Sequence, residues 1–390
     1  MQCNRMRTAW SELTVQRMLA LTKAALHETA PDENLFAGAG ETDWNETFEL
    51  SAAQGVMVLS FTGAMRLPKE LHPPFQLKLR WIAGIEAVEK KYLHYLETAK
   101  DLSTRFKENN IRMMVFKGFA LAGLYPIPHS REFGDIDIFL CGKSNEGDTV
   151  LEQIAKKKGK SSRKNVDTST KNINYTYRGV LIENHHTFLY HAYYKSFYKG
   201  NDLEKALLTM LKEAGITGNE NTDASHPVND SILFPPPEFN ALHTLLHLLS
   251  HLPTNIVLRH LCDLVVVFKA YKGKIDFSVY RDLLSEAKLL KVTDAIISLS
   301  VRYLGLNQED APPYESDVLL ENRLWNDMLN PQVPSLPLEQ RTLPGVIIYN
   351  TRSITSNLWK YRLLYHGRLW KMVIHYIITR LFTLKTIVKK

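Results

Sequence analysis

The sequence predicts an α+β protein, a small mixed-sheet core flanked by helical N-terminal and C-terminal regions. Three observations carry this reading. Apolar residues recur at helical spacing through most of the first 110 positions. Short apolar runs of strand length then begin with Met113-Met-Val-Phe116. Long apolar helical patterns return from Phe239 onward. With 390 residues the chain exceeds one simple domain. The expected division is 1–110, 111–215, 232–305 and 306–390.

Residues 11–30 read as an amphipathic helix through Leu13, Met18, Leu21 and Ala25. Trp44 to Met65 reads as helical. Pro74 to Asn110 is long and periodic, with a stripe of Leu77, Trp81, Ile85, Val88, Tyr92, Tyr95 and Leu96. After the strand Met113–Phe116, Lys117-Gly118 interrupts the run, and Phe119 to Leu124 starts a helix. A turn around Pro126-Ile-Pro128 leads to a strand over Asp135–Leu140, ended by Gly142. Another helix is expected over Asp148–Lys157. Lys156 to Asn174 is polar and basic and reads as a loop. Tyr175–Tyr177 and Val180–Glu183 form a hairpin with Arg178-Gly179 at its turn. Residues 217–231 read as a second loop. Helices follow over Phe239–Leu252, Val257–Tyr271, Val279–Leu290 and Val292–Leu304. Residues 308–345 read as proline-rich and irregular, and Asn357–Lys390 as a basic, aromatic terminal stretch.

A hydrophobic share of 45% and a charged share of 23% suit a folded chain with a real core and exclude fibrous, mucin-like and disordered classes. Cys3, Cys141 and Cys262 are odd in number and widely spaced, so they make neither a disulfide framework nor a CxxC zinc signature. The N-terminal segment shows no signal peptide and no membrane span, so a cytoplasmic location without integral membrane association is the default expectation. Forty-eight Lys and Arg against 41 Asp and Glu leave a formal charge of +7, a mild excess that suits either a solvated surface or an anionic partner.

The chemistry is concentrated in Arg131-Glu-Phe-Gly-Asp135-Ile-Asp137-Ile. Residues two apart on a strand share a face, so Asp135 and Asp137 present paired carboxylates while Ile136 and Ile138 enter the core. Like charges this close repel unless a cation lies between them. Magnesium takes oxygen ligands from carboxylates and substrate phosphates. A strand running on from Leu181 places Glu183 and His185 on one side, which makes Glu183 the best third acid. Such a site suits phosphoryl or nucleotidyl transfer, where positioning and neutralisation of charge dominate. By itself, an Asp-x-Asp pair is weak evidence, because exposed strand ends and turns often contain one.

Val115-Phe-Lys117-Gly118-Phe-Ala-Leu-Ala-Gly-Leu-Tyr125, Arg131, Gly134-Asp-Ile-Asp-Ile and Ile182-Glu183-Asn-His185 together resemble the uncharacterised nucleotidyltransferase family, within the DNA polymerase beta-like nucleotidyltransferase superfamily. Trp44 with its helix, His243-Thr-Leu-Leu-His247-Leu-Leu-Ser-His251 and Arg259-His-Leu-Cys-Asp263-Leu extend the resemblance over roughly residues 10 to 305. It implies a nucleotidyltransferase core with Gly118 in a strand-to-helix turn, and with Asp135, Asp137 and Glu183 as catalytic and metal-binding acids. It also implies Mg2+ as cofactor, as two ions, with Mn2+ as an alternative. The reaction implied is transfer of a nucleoside monophosphate from a nucleoside triphosphate to an unidentified hydroxyl acceptor. Lys117-Gly118 stands where many superfamily members have Gly-Gly or Gly-Ser.

Other residues keep two readings. Lys117 contacts a phosphate or faces solvent. Arg131 clamps phosphate or pairs with a carboxylate and orders its loop. His185 contacts substrate, orients Glu183 or is a satisfied buried histidine, and His186 faces the other way. His243 and His247 are four apart, but no HExxH arrangement supports zinc. With Arg259 and Asp263 they are expected near the cleft or tying helices together, and an Arg259–Asp263 pair at i,i+4 is a structural alternative. A nucleic-acid partner for the Lys156–Lys164 loop lacks aromatic interleaving or a zinc module. The terminal stretch is either a peripheral membrane or partner helix or one packed on its own core. Two rivals to an enzyme stay open: a catalytically inactive nucleotide-binding or regulatory protein, and a nucleic-acid or peripheral-membrane binding module.

Overall fold

A computed structural model describes residues 10–157, 172–189, 200–217, 232–331, 333 and 343–365. Most of the predicted basic loop at 156–174, nearly all of the loop at 217–231, and residues 366–390 of the terminal stretch lie outside the described residues.

Helix α1 (Glu12–His27) begins where the Ser11 hydroxyl accepts the Thr14 amide at 3.0 Å. The helix expected over 44–65 is two, α2 (Glu41–Ala53) and α3 (Met57–Ala64). They part at Gly55, whose φ of +68° is readily taken only by a residue without a Cβ. Helix α4 (Phe75–Glu108) runs 34 residues, as its long apolar stripe predicted. Trp81, fully buried, packs against Phe48 and Phe61 and donates its indole N–H to the Met57 carbonyl at 2.9 Å. With Phe36, Trp44 and Leu77 it forms a separate N-terminal cluster.

Strands β1 (Met113–Phe116), β2 (Asp135–Phe139), β3 (Asn172–Tyr177), β4 (Val180–His185) and β5 (Ile232–Leu233) make one mixed sheet in the order β3-β4-β2-β1-β5. β1 runs antiparallel to β2, β2 parallel to β4, β4 antiparallel to β3, and β1 parallel to β5. The β3–β4 hairpin turns at Arg178 and Gly179, both at positive φ, as a two-residue turn requires. Between the strands lie α5 (Lys117–Ala122) and α6 (Ser144–Lys157).

The two-residue period sorts the sheet into two faces. Met113, Val115, Ile136, Ile138 and Ile182 join Leu102 and Phe106 of α4 and Leu151 of α6 in one core. Met114, Phe116 and Phe139 join a larger core built by α7 (Gly200–Glu213), α8 (Pro237–His251), α9 (Leu258–Ala270), α10 (Phe277–Glu286) and α11 (Leu290–Leu304). Helix α1 packs into this second core, and the Lys269 ammonium donates to the Leu26 carbonyl at 2.8 Å.

Within the stretch read as irregular, α12 (Val318–Leu329) forms, capped by Asp317, whose carboxylate accepts the Leu320 amide at 3.0 Å. The flanking prolines hid it. Helix α13 (Leu343–Leu364) follows, and Tyr361, Leu364 and Tyr365 enter the larger core. Lys360, 1% exposed, pairs with Asp327 at 2.5 Å. The described part of the terminal stretch therefore packs on its own protein. Among the described residues no helix is long and apolar enough to cross a membrane.

Candidate active site

The site forms where β1 ends beside β2 and β4. Register pairs Phe116 with Asp137, and Asp137 with Glu183. Partners in adjacent strands share a face, so Asp137, Glu183 and His185 converge as the alternation predicted. His186 turns away and meets Asp148 of α6 at 2.9 Å. Asn184 also faces α6, donating to the Ser144 carbonyl and to Asp148, both at 2.9 Å.

The chain leaves β1 through Lys117, at a φ of +54°, and enters α5. Lys117 is buried, so its charge does not face solvent. Its ammonium binds Asp137 Oδ1 and lies 3.3 Å from His185 Nε2 and 4.0 Å from Glu183 Oε2. His185 Nε2 is 2.8 Å from the same Asp137 oxygen and 3.4 Å from Glu183 Oε2. Asn172 donates to Glu183 Oε2 at 2.5 Å. Lys117, Asp137 and His185 are all buried.

Electrostatics separates the two aspartates. Asp135, at the more open start of β2, has its carboxyl pushed up to about 6, by burial first and then by the charges of Asp137 and Glu183. Burial acts the same way on Asp137, but Lys117 and the His185 hydrogen bond outweigh it and hold that carboxyl far below its ordinary value. His185 is lowered by burial and by the Lys117 charge, so its imidazole stays neutral near pH 7. Lys117 is raised: burial opposes its charge, and Asp137 and Glu183 more than restore it.

Asp137, Glu183 and His185 each offer a donor atom within 4.8 Å of the others. Two carboxylates and an imidazole fit a divalent cation by donor chemistry, and the nitrogen suits Mn2+ better than Mg2+. Asp135 shares the strand face without belonging to that closest group.

Arg131 pairs with a carboxylate, one of the two readings its sequence left open. Its Nε and Nη2 donate to the two oxygens of Asp263 at 3.0 and 2.8 Å, and Nη1 donates to the Glu132 carbonyl at 2.7 Å. The Tyr125 hydroxyl also donates to Asp263, at 2.7 Å. Gly118 makes room for this pair: a Cβ there would lie 2.7 Å from Arg131 Nη1. Asp263 therefore pairs with Arg131, not with Arg259 as i,i+4 spacing allowed. Arg259 donates Nη1 to the Glu132 carbonyl at 2.8 Å, and its Nε is buried without a hydrogen-bond partner. This guanidinium, beside the Arg131–Asp263 pair, was legible in sequence only as a cleft candidate.

The histidines of α8 continue from the site as a column of rings. His243 stacks on Phe239 at 5.3 Å and meets Phe116 edge-on at 5.2 Å. His247 and His251 follow at 4.7 Å from each other, and His260 of α9 stacks on His251 at 5.1 Å. Burial lowers His247 and His260, the latter to about 3. Sequence spacing identified this face of α8 but gave no sign that His260 closes the column.

A model of the family described as uncharacterised nucleotidyltransferase matches residues 40–305. Searches of curated proteins and of solved structures returned no match.

Proposed function

The chain belongs to the uncharacterised nucleotidyltransferase family, and from that premise we propose that it transfers a nucleoside monophosphate from a triphosphate such as ATP to a hydroxyl acceptor. The observation that carries the proposal is the convergence of Asp137, Glu183 and His185 on one face of the sheet, with Asp135 on the same face. Asp135, Asp137 and Glu183 would hold a divalent ion, Mg2+ or Mn2+, with His185 beside them. That ion supplies positive charge for the phosphate oxygens.

The residues of this chain do the rest. Strand register sets Asp137 and Glu183 side by side, so their carboxylates start close together. His185 orients both carboxylates through Nε2. Arg131 and Asp263 brace the turn beside Gly118 against α9. Arg259, its Nε without a hydrogen-bond partner beside the Arg131–Asp263 pair, would donate to a phosphate oxygen. The acceptor oxygen attacks the α-phosphorus, the bond from that phosphorus to the bridging oxygen breaks, and pyrophosphate leaves. The hydroxyl proton passes to the carboxylate cluster.

Incubation with α-phosphate-labelled triphosphates and a panel of acceptors tests this. Label transfer with equimolar pyrophosphate release, lost in Asp137→Asn, is the expected result. The Lys117 ammonium among the carboxylates favours one second reading, a nucleotide-binding protein without turnover. Triphosphate binding with no pyrophosphate release from any acceptor would select it.

A further inference from the structure

We propose that Lys117 is a built-in second cation of the site, so that the carboxylate cluster takes one divalent ion instead of two. The inference rests on the nucleotidyl-transfer reading and adds the cation count. In a two-ion site the ions lie about 3.5–4 Å apart, a spacing that one carboxylate can span by giving each ion an oxygen. Asp137 is the carboxylate placed for that, between Asp135 two residues before it and Glu183 across the strand pair. Its Oδ1 is already engaged by the Lys117 ammonium and by His185 Nε2. The same ammonium is 4.0 Å from Glu183 Oε2, so it sits among the atoms that an ion would bridge.

The backbone supports a fixed role. Lys117 takes a φ of +54°, a region that a non-glycine residue enters at a cost. Lys117 and Asp137 are both under 10% exposed, at 9% and 3%, so the ammonium is no solvent-facing charge that happens to fold inward. Asp137 Oδ2 and the carboxylates of Glu183 and Asp135 stay available to one ion. Lys117 would be a positioning residue: it fixes the Asp137 carboxylate and supplies the charge that a second ion supplies elsewhere.

The test counts Mn2+ bound to the full chain by electron paramagnetic resonance, with and without a non-hydrolysable α,β-methylene triphosphate. Wild type is expected to bind one Mn2+ per chain with the analogue. Lys117→Met is expected to bind two, and Lys117→Arg, which keeps the charge, one. Two ions on the wild type overturn the proposal, as does one ion on a folded Lys117→Met chain. If Lys117→Met fails to fold, the wild-type and Lys117→Arg counts decide. A folded wild type that binds neither Mn2+ nor analogue sinks the nucleotidyl-transfer reading itself, an outcome distinct from a count of two.

Discussion

Arg131, in the turn before β2, closes a two-pronged ion pair on Asp263 of α9, 132 residues later in the chain. Both partners are buried, and the pair joins the sheet to the helices behind it. Removing one member leaves the other charge buried alone. Asp263→Ala is therefore expected to cost about 3–5 kcal/mol, and Tyr125→Phe, which removes one hydrogen bond, about 1 kcal/mol. Urea unfolding of the two variants measures both. Equal losses would show that the hydroxyl and the guanidinium carry similar weight, against this account.

Asp137 and Lys117 form the second buried pair. Asp137→Asn is expected to destabilise the protein by about 3 kcal/mol because the ammonium loses its counter-charge. Adding Lys117→Met to that variant should recover part of the loss. A double-mutant cycle checks this, and strictly additive losses would mean that the two side chains do not interact.

Gly118→Ala places a methyl 2.7 Å from Arg131 Nη1 and 2.9 Å from Phe133 Cβ. Arg131 is held at both ends of its guanidinium and cannot swing aside. The expected cost is about 1–3 kcal/mol, with a matching fall in thermal midpoint. An unchanged midpoint would mean that the Arg131–Asp263 pair shifts freely.

His260 gives a pH signature. Burial first, then His251 and Arg259, hold its imidazole at about 3 against 6.5 in the unfolded chain; Asp263 opposes and Arg131 adds to the depression. Between these values the unfolded state binds a proton that the folded state does not, so stability is complete above pH 6.5 and falls with falling pH toward 3. From pH 6.5 to 5 this one group accounts for about 1.6 kcal/mol. His260→Asn should flatten that part of the urea-midpoint profile relative to wild type. A profile of unchanged slope would assign the dependence to other groups, His247 among them, whose value is also lowered by burial.

Much of the sheet was legible in sequence because its signals are local. The run Met113–Phe116, the Asp-Ile-Asp-Ile alternation and the Arg178-Gly179 turn each specify a short element, and alternation alone put Glu183 and His185 on one side. The helices of α4, α8, α9 and α11 were legible from their periodic stripes. What sequence could not supply is the partner across space. Lys117 points to Asp137 only because register sets β1 beside β2, and Arg131 meets Asp263 only because α9 packs behind the turn. The α2–α3 break at Gly55, the short β5, and α7 and α12 were missed for a related reason. Two or three residues of strand carry no period, and prolines on either side of α12 masked its cap.

The most direct test of the central claim is isothermal titration of folded wild type and Asp135→Asn with each nucleoside triphosphate, with and without Mg2+ or Mn2+. Asp135 is the least buried of the paired acids, so its variant should keep the fold. The account predicts triphosphate binding that requires the divalent ion and weakens at least about ten-fold in the variant, a loss of about 1.4 kcal/mol. Binding that is indifferent to the metal, or equal in the two proteins, would contradict it.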